Sequence, residues 1–237
     1  MEIYNEMKAL RLSSMAEAWK AIQETRKATS VSLDDGLRLL LQAERDGRQH
    51  KRTYRLLYNA KFRYEAQVER IDFNSAKGRD KDRILSLATC EYLRNGESIL
   101  ITGAAGTGKS YIASALGHQA CLLGFSVLYF NMMKLLERLS IARLESSLPK
   151  LFDKLANTDL LIIDDWGLKK LENQQLHDFM EIIEDRHARK STIITSQLPF
   201  ENWYDVMAKN QTIADAICDR MIKTSHRFTL TGGSYRK

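Results

Sequence analysis

From residue 98 onward the chain alternates between two textures. Short apolar runs rich in β-branched residues stand at Ser98–Thr102, Val127–Phe130, Leu160–Asp164, Thr192–Thr195 and Arg227–Leu230. Between them lie longer stretches with apolar residues at helical spacing, notably Lys109–Leu123, Met132–Ala142 and Glu172–Arg189. Strands that alternate with helices build a parallel sheet covered on both faces. The spacing predicts an α/β fold with a five-stranded parallel sheet between helix layers.

The first 75 residues read differently. They hold no proline, and their only glycines are Gly36 and Gly47. Met7, Leu10, Leu12, Met15, Ala18, Trp19 and Ile22 recur at helical spacing. After Ser30-Val31, the run Ser32-Leu33-Asp34-Asp35 looks like an N-cap with acids in the first turn of the next helix. Leu37, Leu39, Leu40, Leu41 and Ala43 carry that helix, and Arg45, Arg48, Lys51, Arg52 and Arg55 make its continuation basic. This predicts a small all-α domain over 1–71. A linker with an entry helix follows over 72–96; the helix runs from about Asp80 to Leu93 and closes at Asn95-Gly96. The α/β domain then occupies 97–237.

Composition narrows the class. Of 237 residues, 44% are hydrophobic and 28% charged, which excludes a collagenous, low-complexity or wholly disordered chain. No apolar run reaches the ~18 residues a membrane span needs, and Met1 to Lys20 lacks the apolar core of a signal peptide. Three scattered cysteines, Cys90, Cys121 and Cys218, suit a reducing compartment better than a disulfide framework or a zinc site, so a cytoplasmic protein without membrane contact is expected. The net charge of +6 is uneven: 45–95 holds 13 basic against 7 acidic residues, while 96–208 holds 11 against 14. A local basic surplus suits a nucleic-acid partner or a solvated face, and charge alone does not separate the two.

Two motifs carry most of the chemistry. Gly103-Ala104-Ala105-Gly106-Thr107-Gly108-Lys109-Ser110 fits G-x-x-x-x-G-K-[ST], with Tyr111 directly behind it. Its glycines let successive N–H groups point at phosphate oxygens. Lys109 supplies charge for the β- and γ-phosphates, Ser110 a hydroxyl for Mg²⁺, and the following helix its positive end. Leu160-Leu161-Ile162-Ile163-Asp164-Asp165 is an apolar strand ending in two acids, as a Walker B element does. There Asp164 would meet the Mg²⁺ and Asp165 would orient the attacking water. ATP and Mg²⁺ are the expected cofactors.

Two weaker signals follow. Thr192-Ile193-Ile194-Thr195-Ser196-Gln197 ends a strand in short polar groups, so Thr195 or Ser196 could face the γ-phosphate; an ordinary strand end before a turn at Pro199 reads the same way. Arg220 lies beside an apolar stripe of Ile213, Ile217 and Met221. It reads either as an arginine finger for a neighbouring subunit's phosphate or as a member of an internal ion pair. Trp166 reads as wall or core.

With these elements in order, the chain resembles the IstB-like ATP-binding proteins, transposition helper ATPases in the initiator-type AAA+ group beside DnaA initiators and DnaC helicase loaders. Leu10–Ala18, Ala60-Lys61-Phe62-Arg63-Tyr64, Ala115-Leu116-Gly117-His118, Asp164-Asp165-Trp166-Gly167-Leu168, Glu181–Arg186, Thr195–Pro199, Asp215–Arg220 and Gly233–Lys237 carry the resemblance. It implies an AAA+ core that binds ATP and assembles as homo-oligomers on double-stranded DNA, with nucleotide between subunits. It also implies work beside a separate transposase. It strengthens the trans reading of Arg220 and marks Met132–Asn157 as the group's extra helical insertion. Lys134, Arg138, Arg143, Lys150 and Lys154 there are candidate phosphate contacts. In such proteins a glutamate is usual where Asp165 stands. The short tail after the fifth strand implies no C-terminal lid domain, with Arg236 the weak stand-in for a lid-borne sensor. A DnaC-like helicase loader is the alternative function.

Overall fold

The structure is a computed structural model that describes residues 2–25, 32–73, 80–207, 210–222 and 225–231. The chain divides into two compact units, 1–55 and 56–237.

In the first unit, α1 (Glu2–Ala9), α2 (Ser13–Glu24) and most of α3 (Leu33–Ala60) are helical. The apolar spacing over 7–22 does not make one helix, because Arg11 turns left-handed at φ 61° and leaves Leu10 exposed. Ser32 caps α3 as expected, with its hydroxyl accepting the Asp35 N–H at 3.2 Å. Glu44, buried on α3, accepts the N–H groups of Ser14 and Met15 at 2.9 and 3.1 Å. A carboxylate thus closes the start of α2, where unpaired donors and the helix dipole favour negative charge.

The second unit contains the five strands: β1 (Ser98–Gly103), β2 (Val127–Asn131), β3 (Leu160–Trp166), β4 (Ser191–Ser196) and β5 (Ser225–Leu230). All pairings are parallel, in the order β2-β3-β4-β1-β5. Alternate residues feed opposite cores. Ile99, Ile101, Leu160, Ile162 and Ile193 pack with α6 (Lys109–Leu122), α4 (Lys81–Ala88) and α5 (Glu91–Asn95). Leu100, Leu161, Ile163 and Ile194 pack with α7 (Met132–Leu144), α8 (Leu148–Asn157), α9 (Asn173–Arg186), α10 (Trp203–Met207) and α11 (Gln211–Ile222). The period-two alternation builds the predicted three-layer sandwich.

Two expectations shift. The boundary expected at residue 71 lies inside the second unit, because Ala60, Ala66, Val68 and Ile71 are buried in the same core as β1 and α6. The entry helix expected over 80–93 is two helices, α4 and α5, divided by Cys90 at φ 61°. Burial of Ile84, Leu87, Tyr92 and Leu93 in one core favours the bend over a straight rod.

Among the described residues no helix is long and apolar enough to cross a membrane.

Arg186 is only 1% exposed at the end of α9. Its guanidinium donates to the carbonyls of Leu155, Ser191 and Thr158 (2.8 Å for the last) and to the Thr192 hydroxyl at 3.0 Å. It ties α8, α9 and the start of β4 together. Arg186→Met should strip several buried acceptors of their donor at about 1–3 kcal/mol each. We expect a loss of at least about 3 kcal/mol, read as a lowered urea midpoint. Arg186→Lys should recover little, since one ammonium cannot span the same acceptors.

Candidate functional site

The chemistry gathers at the C-terminal edge of the sheet, where β1, β3 and β4 end side by side. The loop after β1 runs through Gly103 (φ 147°), Gly106 (φ 82°) and Gly108 (φ 92°) before α6 begins at Lys109. A Cβ on Gly103 would lie 2.4 Å from the Leu230 carbonyl oxygen, so no larger residue fits there. Lys109 is 6% exposed and donates to the Gly103 and Ala104 carbonyls at 2.7 and 2.8 Å. Thr107 donates to the Ala104 carbonyl at 2.9 Å and tightens the loop. Ala105, Gly106, Gly108, Lys109 and Ser110 line a cleft of about 210 Å³, walled by Tyr64, Tyr111, Asp165 and Gln197.

Strand β3 brings both acids to this edge by an irregularity. Its pairing with β4 shifts register between Ile163 and Trp166, and Asp165 sits at φ 62°. In a regular strand consecutive side chains face opposite ways; a bulge re-aims one of them. Asp164 is fully buried and accepts the Ser110 hydroxyl at 2.7 Å, with Tyr129 and Thr195 hydroxyls also donating to it. Asp165 accepts Asn131 Nδ2 at 2.9 Å, and its N–H donates to Thr195 Oγ1 at 3.2 Å. Arg63 reaches both acids, with Nη1 at 3.4 Å from Asp165 Oδ2 and 3.7 Å from Asp164 Oδ2. Burial, and then the neighbouring Asp164 charge, holds the Asp165 carboxyl above its usual range. Burial and the bond to Asp164 push the Tyr129 phenol well up.

The residues fit the expected cofactors. A loop with glycines at positive φ, a buried ammonium and a helix N-terminus suits a polyphosphate. The paired oxygens of Ser110 and Asp164 suit Mg²⁺, which takes few protein ligands and completes its shell with phosphates and water.

The two strand-end candidates separate. Thr195 is fully buried and touches both acids. The Ser196 hydroxyl instead donates to the Trp166 carbonyl at 2.8 Å and accepts the Leu198 N–H at 3.0 Å, which shapes the turn after β4. That turns Ser196 from the cleft, and Gln197 lines it instead. Trp166 is core, fully buried and stacked on Phe179 at 4.5 Å between ring centroids.

Arg220 does not join the cleft. It sits near the end of α11 beside Ser98 and Thr192, at the starts of β1 and β4. It pairs with Glu184 and donates to the Ala216 carbonyl at 3.2 Å. Strands of six residues separate it from the phosphate loop by roughly 17–20 Å at ~3.3 Å per residue. It cannot touch a nucleotide held by its own chain. Arg236 and the rest of 232–237 lie outside the described residues.

Between β2 and β3, Lys134, Arg138, Lys150 and Lys154 are exposed, while Arg143 is engaged in an ion pair with Asp178. The stretch Met132–Asn157 expected as an insertion holds two helices, α7 and α8. Asn131 caps α7 by accepting the Met133 N–H at 3.0 Å while its amide holds Asp165. Sequence reasoning gave Tyr129, Asn131 and Arg63 no part in the site. The only sequence signal was the polar Asn131 closing an otherwise apolar β-run.

Among solved structures, the chain is similar to DnaI, with a TM-score of 0.61 at 17% identity over 75% of this chain and 94% of that one. It is equally similar to the DnaC helicase loader, with a TM-score of 0.61 at 20% identity over 73% of this chain and all of that one. These likenesses show the fold. Among sequences, an insertion sequence ATP-binding protein of Sinorhizobium fredii is 37% identical over 98% of this chain and 95% of the relative. The IS1162 ATP-binding protein of Pseudomonas fluorescens is 41% identical over 82% of this chain and 85% of the relative. Residues 5–237 match the family described as IstB-like ATP binding protein, and with the phosphate loop and paired acids in place the chain belongs to that family.

Proposed function

We propose that the protein is a Mg²⁺-dependent ATPase that assembles on duplex DNA and assists a transposase in choosing and remodelling target DNA. The observation that carries the ATPase reading is the juncture of the phosphate loop with the paired acids: Ser110 on Asp164 at 2.7 Å, with Asp165 walling the same cleft. Lys109 and the loop N–H groups would hold the phosphates, and Ser110 with Asp164 the metal, which supplies charge neutralisation at the γ-phosphate. Asp165 would orient water, with Thr195 positioning both acids. Arg220, too far from its own cleft, would serve a neighbouring subunit's nucleotide. Duplex DNA would meet Lys134, Arg138, Lys150 and Lys154 and the basic stretch of α3, contacts to phosphates that position without reading sequence. The names of the relatives place them in insertion sequences, which supports the transposase partner. The DnaC likeness keeps helicase loading as the second reading; preference for single-stranded over duplex DNA would favour it.

Asp165→Asn tests the hydrolytic role. It keeps size and removes the charge that orients water, so ATP turnover should fall by roughly 10²–10⁴ while ATP binding persists and DNA complexes outlive those of the wild type. Normal turnover would remove Asp165 from this role.

A further inference from the structure

A cleft of about 670 Å³ opens between the end of α3 and α6, and no residue of the phosphate loop lines it. Tyr58, Lys61, Gln67, Arg70 and His118 do, with Glu65 its only acid. None of them takes part in the proposed ATP chemistry. Lys61 and Arg70 are exposed, and among the described residues no carboxylate pairs with either. Arg63 reaches the cleft too, but Asp164 and Asp165 engage it.

Tyr58 is 63% exposed, a large ring left in solvent near the end of a helix. The Lys61 ammonium lies over it, 3.9 Å from the ring centroid. A cation covers one face, and so exposed a ring leaves the other open. The backbone fixes this pairing. The chain leaves α3 through Lys61 at φ 58°, a left-handed position that suits glycine better than lysine. Phe62 then packs edge-on to Tyr129 at 6.4 Å, and a Cβ on Gly117 would lie 2.7 Å from the Phe62 ring. The turn is thus clamped between β2 and α6.

An open aromatic face flanked by cations suits a single strand of nucleic acid, whose bases stack while its phosphates meet the charges. In a duplex the neighbouring base pairs cover both faces of each base, so only an unpaired nucleotide can use such a ring. Gln67 offers a donor and an acceptor to a base edge. His118 does the same, since burial lowers its pKa and keeps the ring neutral at pH 7. Lys61 also lines the neighbouring cleft of Lys134 and Arg138, where duplex phosphates would lie.

We propose that the cleft at the end of α3 holds an unpaired nucleotide beside the bound duplex, with its base on Tyr58 and its phosphates on Lys61 and Arg70. This rests on the duplex-binding reading above and adds to it a site for a strand drawn out of the duplex.

The test measures affinity of the full chain, with a saturating non-hydrolysable ATP analogue, for a blunt duplex and for the same duplex with a short single-stranded thymidine overhang. The overhang should tighten binding roughly five- to fiftyfold, within the range that base–aromatic stacking supplies. Tyr58→Ala should erase that gain, Tyr58→Phe should keep it, and neither should change blunt-duplex affinity or the thermal melt. Arg70→Gln should shrink the gain and lower the salt slope for the overhang duplex by about one. With 2-aminopurine at the first unpaired position, emission should fall on binding to wild type and not on binding to Tyr58→Ala. A blunt duplex that binds with no gain from the overhang overturns this proposal alone, as does a gain that survives Tyr58→Ala; the ring and cations would then fit a protein partner instead. Tyr58-dependent binding of the overhang without any binding of the blunt duplex would support this site and overturn the duplex reading.

Discussion

Lys109→Ala should lower ATP affinity by about 10²-fold or more. The ammonium is buried against the loop it closes, bonded to the Gly103 and Ala104 carbonyls. Hydrogen bonds to charged groups are worth about 1.5–3 kcal/mol each, and the β- and γ-phosphates would each lose a charged donor. The loop glycines and the α6 N-terminus remain, so residual binding should persist at high nucleotide. Titration calorimetry with ATP and Mg²⁺ reads the change. A nucleotide-free thermal melt separates it from misfolding, because the lost bonds to Gly103 and Ala104 also loosen the loop. Affinity equal to wild type would mean that this loop does not hold phosphates.

Arg220→Ala should reduce DNA-stimulated ATP turnover by roughly 10³-fold or more, the range an arginine finger supplies in P-loop enzymes. Lys109, Ser110, Asp164 and Asp165 share the C-terminal edge of the sheet, while Arg220 sits at the opposite edge beside Ser98 and Thr192. Its bond to Glu184 occupies it within the free chain. Glu184 is more than half exposed, so the pair is solvent-screened and cheap to exchange for a neighbour's phosphate. ATP binding by the single subunit should therefore survive the substitution. Mixing Arg220→Ala with Lys109→Ala tests the trans reading, since interfaces that pair an intact Lys109 with an intact Arg220 should regain turnover. Mixtures that co-assemble without recovery would leave Arg220 a structural partner of Glu184.

What could be read from the sequence depended on range. The strands were legible because Leu160–Ile163 and Ile193-Ile194 are unbroken apolar runs, with isoleucines that favour strands, where both faces are buried. The phosphate loop was legible because its geometry needs glycine at fixed positions. Contacts across the fold were not. Asn131 meets Asp165 because β2 and β3 pair with Asn131 opposite Asp164, a register no local pattern encodes. Arg63 meets Asp165 from 102 residues away, where the sequence offered only one more cation in a basic stretch. That the Thr195 hydroxyl meets Asp164 while the Ser196 hydroxyl meets the Trp166 carbonyl depends on the shifted pairing of β4 with β3, which no local pattern shows. The bend at Cys90 also escaped, because nothing marks that residue for a left-handed turn. Arg186 was readable in principle: it extends the Phe179, Ile182, Ile183 stripe by one turn, and a cation on a buried stripe announces a polar network.

In the proposed function, ATP in the Gly103–Ser110 loop makes the protein bind duplex DNA, and hydrolysis ends the complex. The direct measurement is duplex affinity of the full chain with ATP, with a non-hydrolysable analogue, with ADP and without nucleotide, each across a salt series. Tight, sequence-tolerant and steeply salt-dependent binding is expected with ATP, longer-lived complexes with the analogue, and weak binding in the other two states. Equal affinity in all four states would contradict it.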